Sequence, residues 1–232
     1  MSRSFRAVIT AFSLGIVLSF FGAAQANAQG ILNEILTRMD THYKALSSVK
    51  SNIKMEKVNT QLGETDVSEG TVKFLPKTDR RALYARIDWS KPFEESMAVI
   101  GDGYKLYRPR LKTGYIGKTS GAKTSGSAGG ALAFMSMSKA QLKTNYVIDY
   151  IGQEQITGAI QTWHLKLTPK AAASYKIAEI WVDSNGMPLQ AKITERNDDL
   201  TTVLLSDLQK NININVKEFS IDFPSGTKVV KG

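Results

Sequence analysis

The chain has 232 residues, 42% hydrophobic and 22% charged, with 18 glycines and 6 prolines, a length and composition that fit one globular domain and exclude collagen-like, coiled-coil and wholly disordered chains. It has no cysteine, which excludes disulfide frameworks, thiolate-ligated zinc, iron–sulfur clusters, thiol catalysis and lipidation of an N-terminal cysteine. A net charge of +9 with only two histidines fits either anionic partners or a plain solubilising surface, and leaves little metal or acid–base chemistry.

The N-terminus has the three parts of a secretory signal peptide: Arg3 and Arg6, an apolar run over 7–21, and the small-residue triplet Ala26-Asn27-Ala28. The run is short for a membrane span of about 20 residues. Cleavage is therefore expected before Gln29, leaving one mature domain over 29–232, exported to the periplasm of a Gram-negative cell. Loss of residues 1–28 removes two arginines and no acidic residue, so the mature charge is +7. Export argues against nucleic acid as a partner, and no segment interleaves Lys and Arg with aromatics as such a site would.

Over 31–46, apolar residues recur at Leu32, Ile35, Leu36, Met39, Tyr43 and Leu46, the spacing of one helix face. Asn33, Glu34, Arg38, Asp40 and Lys44 fill the other face, so this helix should lie on another layer. After Ser47-Ser48 the texture becomes that of an antiparallel β protein, with strands predicted at 49–58, 68–75, 81–89, 95–101, 104–108, 113–117, 146–153, 160–168, 175–183, 188–195, 200–207 and 216–223. Turn signals such as Gly101-Asp102-Gly103 and Asp183-Ser184-Asn185-Gly186 separate them. Such short connections make successive strands antiparallel neighbours, a meander with no βαβ crossover.

Between Gly117 and Gly130 the chain is almost only Gly, Ser, Thr, Ala and Lys, the composition of a mobile loop. Gly117-Lys118-Thr119 is not a phosphate-binding loop, because Lys112 stands where the P-loop pattern needs its first glycine. The apolar segment 131–137 follows, read as a second small helix running toward Gln141. Its Phe134, Met135 and Met137 suit either a movable lid or a plain core.

No constellation supports catalysis. His42 falls on the first helix and His164 on a strand, facing away from Trp163 and Leu165, both as surface or interface residues. The acidic residues are scattered along strand edges and turns, so neither a catalytic carboxylate pair nor a metal site is expected, and no cofactor is called for.

Alternation over 81–89 places Arg81, Leu83, Ala85, Ile87 and Trp89 on one face. Other strands give comparable apolar rows: Val72 and Phe74; Trp163, Leu165 and Leu167; Ala178, Ile180 and Val182; Leu189, Ala191 and Ile193; Phe219, Ile221 and Phe223. A sheet of about a dozen strands curls into a barrel or half-barrel. Its concave side then either holds a cavity for a greasy ligand or packs as an ordinary core.

The ordered motifs Pro92 with the strand 95–100, Asp102-Gly103 with Leu106-Tyr107, Leu167-Thr168-Pro169-Lys170, Ile180-Trp181-Val182-Asp183 with Gly186, and the ending Phe219-Ser220-Ile221-Asp222-Phe223-Pro224-Ser225-Gly226-Thr227 give the mature chain a resemblance to the LolA family of periplasmic lipoprotein carriers. The resemblance implies an α+β, mainly β fold: an unclosed antiparallel β-barrel of about 11–12 strands with a helical lid over an apolar cavity. It implies a non-enzymatic, monomeric carrier of acylated lipoproteins between an inner-membrane ABC lipoprotein-release complex and an outer-membrane lipoprotein receptor. Leu83, Ile87, Trp89, Val72, Phe74, Trp163, Leu165, Ile180 and Val182 would then line the cavity. Leu32, Ile35, Leu36, Met39, Leu132, Phe134, Met135 and Met137 would form the lids. Arg81 matches the family's lid-gating arginine, with Arg80 as the substitute if the register slips by one. The chain departs from the family in having Ala82 where a proline commonly follows that arginine, and in the Gly/Ser/Lys insertion. A carrier or sensor of another lipid is the second reading, and an exported hydrolase on a β scaffold the third.

Overall fold

The computed structural model describes residues 29–119 and 137–232. The expected signal peptide and the predicted lid residues Leu132, Phe134 and Met135 lie outside the described residues.

The first helix, α1, spans 29–45, beginning two residues before the expected start. Its apolar stripe is buried: Leu32, Ile35, Leu36 and Met39 are 8%, 0%, 1% and 4% exposed. The opposite face carries the i,i+4 pairs Glu34–Arg38 and Asp40–Lys44, each a few tenths of a kcal/mol of helix support. No helix among the described residues is long and apolar enough to cross a membrane.

Twelve strands form one sheet. Six belong to a first meander: β1 (Val49–Asn59), β2 (Glu64–Leu75), β3 (Tyr84–Lys91), β4 (Glu95–Ile100), β5 (Gly103–Arg108) and β6 (Thr113–Lys118). A short helix, α2 (Lys139–Asn145), leads into a second meander of β7 (Tyr146–Ile156), β8 (Ile160–Pro169), β9 (Tyr175–Val182), β10 (Pro188–Glu195) and β11 (Leu200–Lys210). Ser138 caps α2 in a reciprocal box with Gln141. The strand order is β12-β6-β5-β4-β3-β2-β1-β11-β10-β9-β8-β7, with β12 (Lys228–Lys231) parallel to β6. The meanders are joined where β1 pairs antiparallel with β11, and the end strands β12 and β7 do not pair. This is the mainly β, incomplete barrel with a helical cover that the family resemblance implies, built from two meanders and one parallel edge strand rather than the one continuous meander that the strand pattern predicts.

Two strand expectations need correction. The predicted strand 216–223 is a 3-10 turn at Val216–Phe219 followed by chain outside the ladder. Asn215 accepts from Lys217 N–H while the Glu218 carboxylate accepts from Asn215 N–H, and this box turns the chain where a strand would have to run straight. Phe219, Ile221 and Phe223 consequently lie against the outer face of β3–β6. Phe219 meets Tyr84 edge-on at 5.5 Å, and Arg86 donates to the carbonyls of Glu218 and Ser220 at 2.9 and 2.8 Å. A Cβ on Gly114 would strike the Phe223 ring at 2.7 Å, so that glycine lets the strap lie flat. The second correction concerns 81–89, whose strand starts only at Tyr84. Thr78 and Arg81 form an isolated bridge ahead of it, so alternation along β3 does not orient Arg81 or Leu83.

Candidate functional site

The inward face of the sheet is apolar from one edge to the other. In the second meander a row runs Leu165, Ile180, Ala191, Val203 across β8–β11, and each of these residues is fully buried at 0% exposure. α1 covers this half. Arg38 of α1 donates to the Ser184 carbonyl at 3.0 Å and lies 5.4 Å from the Trp163 ring centroid, locking the helix to the β9–β10 turn. In the first meander the equivalent row runs Val72, Ile87, Met97, Leu106, Tyr115 across β2–β6. Its burial falls off toward the edge: Val72 and Ile87 are 3% and 2% exposed, whereas Met97, Leu106 and Tyr115 are only half-buried. The neighbouring row has half-buried Phe74, Ala85, Val99 and Tyr104. The inner wall is thus packed by α1 on one side and left partly open on the other.

A cleft of about 1200 Å³ joins this wall to charged surface, lined by Ile53, Trp89, Leu189 and Leu205 together with Lys54, Glu69, Lys91 and Glu94. Such a lining can accept a molecule with an apolar chain and a polar head.

Of the residues expected at the site, Val72, Ile87, Leu165, Ile180 and Val182 come together with Leu32, Ile35, Leu36 and Met39 in one buried cluster. Phe74, Trp89, Trp163 and Met137 pack against it and remain partly buried. Leu83 does not join them and lies ahead of β3, where its carbonyl accepts from Gly101 N–H. Arg81 is half-buried behind the α1–β1 connection. Its Nη2 donates to the carbonyls of Ser47 and Pro76, both at 3.2 Å, and its buried Nε has no partner among the described residues. Ser47 is itself held by Asn211, whose side-chain oxygen accepts from its N–H and hydroxyl. The guanidinium therefore ties the end of α1 to the β2–β3 connection, while Arg80 is exposed. His42, also on α1, has a buried Nε2 without a partner among the described residues, and desolvation lowers its pKa.

One cluster is invisible to sequence spacing. On the outer face, His164 of β8 sits between two carboxylates, with Nε2 3.0 Å from Glu179 and Nδ1 3.1 Å from Glu154. It stacks on Trp181 at 4.3 Å, whose Nε1 donates to Glu154 at 2.9 Å, and Lys192 completes the group at 2.6 Å from Glu179. Four neighbouring strands contribute, and only their shared outward parity links them. The His164 hydrogen bond, with help from Lys192 and against the cost of burial, holds the Glu179 carboxyl down to about 2. A depressed carboxylate contributes stability that is complete above its ordinary value of 4.5 and is lost as pH falls toward 2. Glu179→Gln is expected to be less stable at pH 7 and to show a flatter decline between pH 4.5 and 2; urea midpoints across that range check both.

An unclosed β-barrel with a helix over its apolar inner wall defines a class of scaffold suited to enclosing a ligand. The family described as outer membrane lipoprotein carrier protein LolA matches residues 47–222, most of the chain, and the chain belongs to that family. No curated protein sequence matches it at a significant level. Among solved structures it is similar to an uncharacterized conserved protein from Thermus thermophilus, with a TM-score of 0.55 and 11% identity over 87% of this chain and 99% of that one. It is also similar to MucB, with a TM-score of 0.53 and 15% identity over 85% of this chain and 63% of that one. A DUF1329 family protein from Desulfovibrio piger gives a TM-score of 0.50 at 15% identity over 81% and 95% of the two chains. At these identities the likeness is one of fold.

Proposed function

We propose that residues 1–28 are removed as a signal peptide and that the mature domain, 29–232, is a periplasmic carrier for the acyl chains of lipoproteins. It would accept cargo from an inner-membrane ABC release complex and deliver it to an outer-membrane receptor, working as a monomer without catalysis. The observation that carries this reading is the unequal inner wall: α1 fills the β8–β11 half, while the β3–β6 half keeps a half-buried apolar row. The family match supports lipoproteins as the cargo. Each methylene moved from water onto this wall contributes about 0.8 kcal/mol, so one long chain brings roughly 10 kcal/mol, offset by ordering the cover. Delivery then needs no energy input at the carrier, because handover follows the difference in affinity between carrier and acceptor.

In this reading Leu32, Ile35, Leu36 and Met39 on α1, with the segment from Leu132 through Phe134, Met135 and Met137, act as lids, and Arg81 acts as their latch. Arg81→Leu removes two charge-assisted hydrogen bonds at the root of α1, worth roughly 1.5–3 kcal/mol each at most. Cargo transfer is expected to change severalfold while the fold persists. A variant that transfers cargo at the parental rate would show that Arg81 is not the latch. The reading as a whole is tested by adding purified protein to spheroplasts that retain a triacylated lipoprotein: soluble release supports it and no release refutes it. Extraction of the native protein that yields a free glycolipid or other membrane lipid would favour a carrier or sensor of that lipid.

A further inference from the structure

The hairpins β1–β2, β3–β4 and β5–β6 all turn at one end of the sheet, as consecutive antiparallel pairs must. Their tips hold Leu62, Phe93 and Leu111, which at 68%, 58% and 61% exposure are the most exposed large apolar side chains among the described residues. The second and third tips meet through Arg110, whose guanidinium lies 4.6 Å from the centroid of the Phe93 ring. Leu62 stands apart, because the β1–β2 ladder runs five residues beyond Glu69–Lys91, the last β2–β3 pair, a distance of roughly 17 Å.

The charges around Phe93 and Leu111 are unequal. Lys91 and Arg108 are neutralised by Glu69 and Glu95 at 2.9 and 2.6 Å. Arg110, Lys112 and Lys228, the last bonded through its N–H to the Lys112 carbonyl at 2.8 Å, have no carboxylate partner among the described residues, and the β3–β4 turn itself carries one exposed acid outside any ion pair, Glu94. Isolated apolar side chains on tight turns cannot fill a deep protein groove. They can enter the boundary between headgroups and acyl chains while the surrounding cations meet lipid phosphates. An arginine over an aromatic ring can keep its charge in the headgroup layer as the ring goes under.

We propose that the β3–β4 and β5–β6 tips form a membrane-docking surface that binds anionic phospholipid bilayers through Phe93, Leu111 and Arg110. This holds whatever the inner face carries. The test is co-sedimentation of the mature protein with phosphatidylethanolamine vesicles containing phosphatidylglycerol, against phosphatidylcholine vesicles. The protein is expected to bind the anionic vesicles at least tenfold more tightly. Phe93→Ser with Leu111→Ser should lose at least tenfold, and Arg110→Glu, which leaves both apolar tips in place, should lose as much. Leu62→Ser removes an equally exposed leucine away from the cation group and should stay within twofold. Failure of the unaltered protein to bind, binding unchanged in the double variant and in Arg110→Glu, or an equal loss in Leu62→Ser would each overturn the proposal.

Discussion

Gly186→Ala is expected to lower the unfolding free energy by about 2–4 kcal/mol, because the new methyl has nowhere to go and the backbone is in the left-handed region. Gly186 has φ +87°, and a Cβ there would lie 2.4 Å from the Arg38 carbonyl carbon and oxygen and 2.6 Å from the Met39 nitrogen. All three are helix backbone, so relief requires α1 to move off the sheet. The turn cannot yield instead. The Gly186 N–H donates to the Asp183 carbonyl at 3.0 Å, and the Asp183 carboxylate accepts from the N–H groups of Asn185 and Met187. For a chain of this size the loss corresponds to a fall in Tm of roughly 4–16 °C, measurable by thermal denaturation. A Tm within 2 °C of the parent, taken as about 1 kcal/mol or less, would mean that α1 is not seated rigidly on the β9–β10 turn.

Leu106→Glu is expected to abolish acyl binding with little effect on folding. Leu106 stands on the half-buried part of the inner wall, between Met97 and Tyr115, so the unliganded protein can hydrate a carboxylate at that position. A bound acyl chain would strip that water, at a cost of several kcal/mol. Even 2–4 kcal/mol corresponds to a loss of roughly 30- to 1000-fold in affinity. Displacement of a fluorescent acyl probe measures the loss, and Leu106→Met should bind as the parent does. Parental affinity in Leu106→Glu would place the acyl site elsewhere than on the β3–β6 wall.

The inner wall was legible because strand parity is a local property: Val72, Ile87 and Leu165 each announce their face through alternation with polar neighbours. The stripe Leu32, Ile35, Leu36, Met39 likewise carries its own period. Two local signals misled. The alternation of Phe219, Ile221 and Phe223 marks contact with the outer face of β3–β6, and the Asn215–Glu218 box that keeps this segment out of the ladder outweighs it. The true last strand, Lys228–Lys231, alternates nothing, since all four of its residues are exposed at a sheet edge. Arg81 shows a different limit. Alternation fixes a side only inside a ladder, and the Thr78–Arg81 bridge sets this residue's position from a turn. The Glu154–His164–Glu179–Lys192 group draws on four strands, so its assembly depended on register across the second meander, which no single segment encodes.

The most direct measurement is native mass spectrometry of the protein isolated from cells that produce it, followed by denaturing analysis of whatever accompanies it. A carrier that holds acyl chains against the β3–β6 wall predicts an acylated polypeptide as the bound species, lost in Leu106→Glu. A free membrane lipid in its place, or protein that is empty under conditions where lipoprotein cargo is present, would contradict the lipoprotein-carrier account.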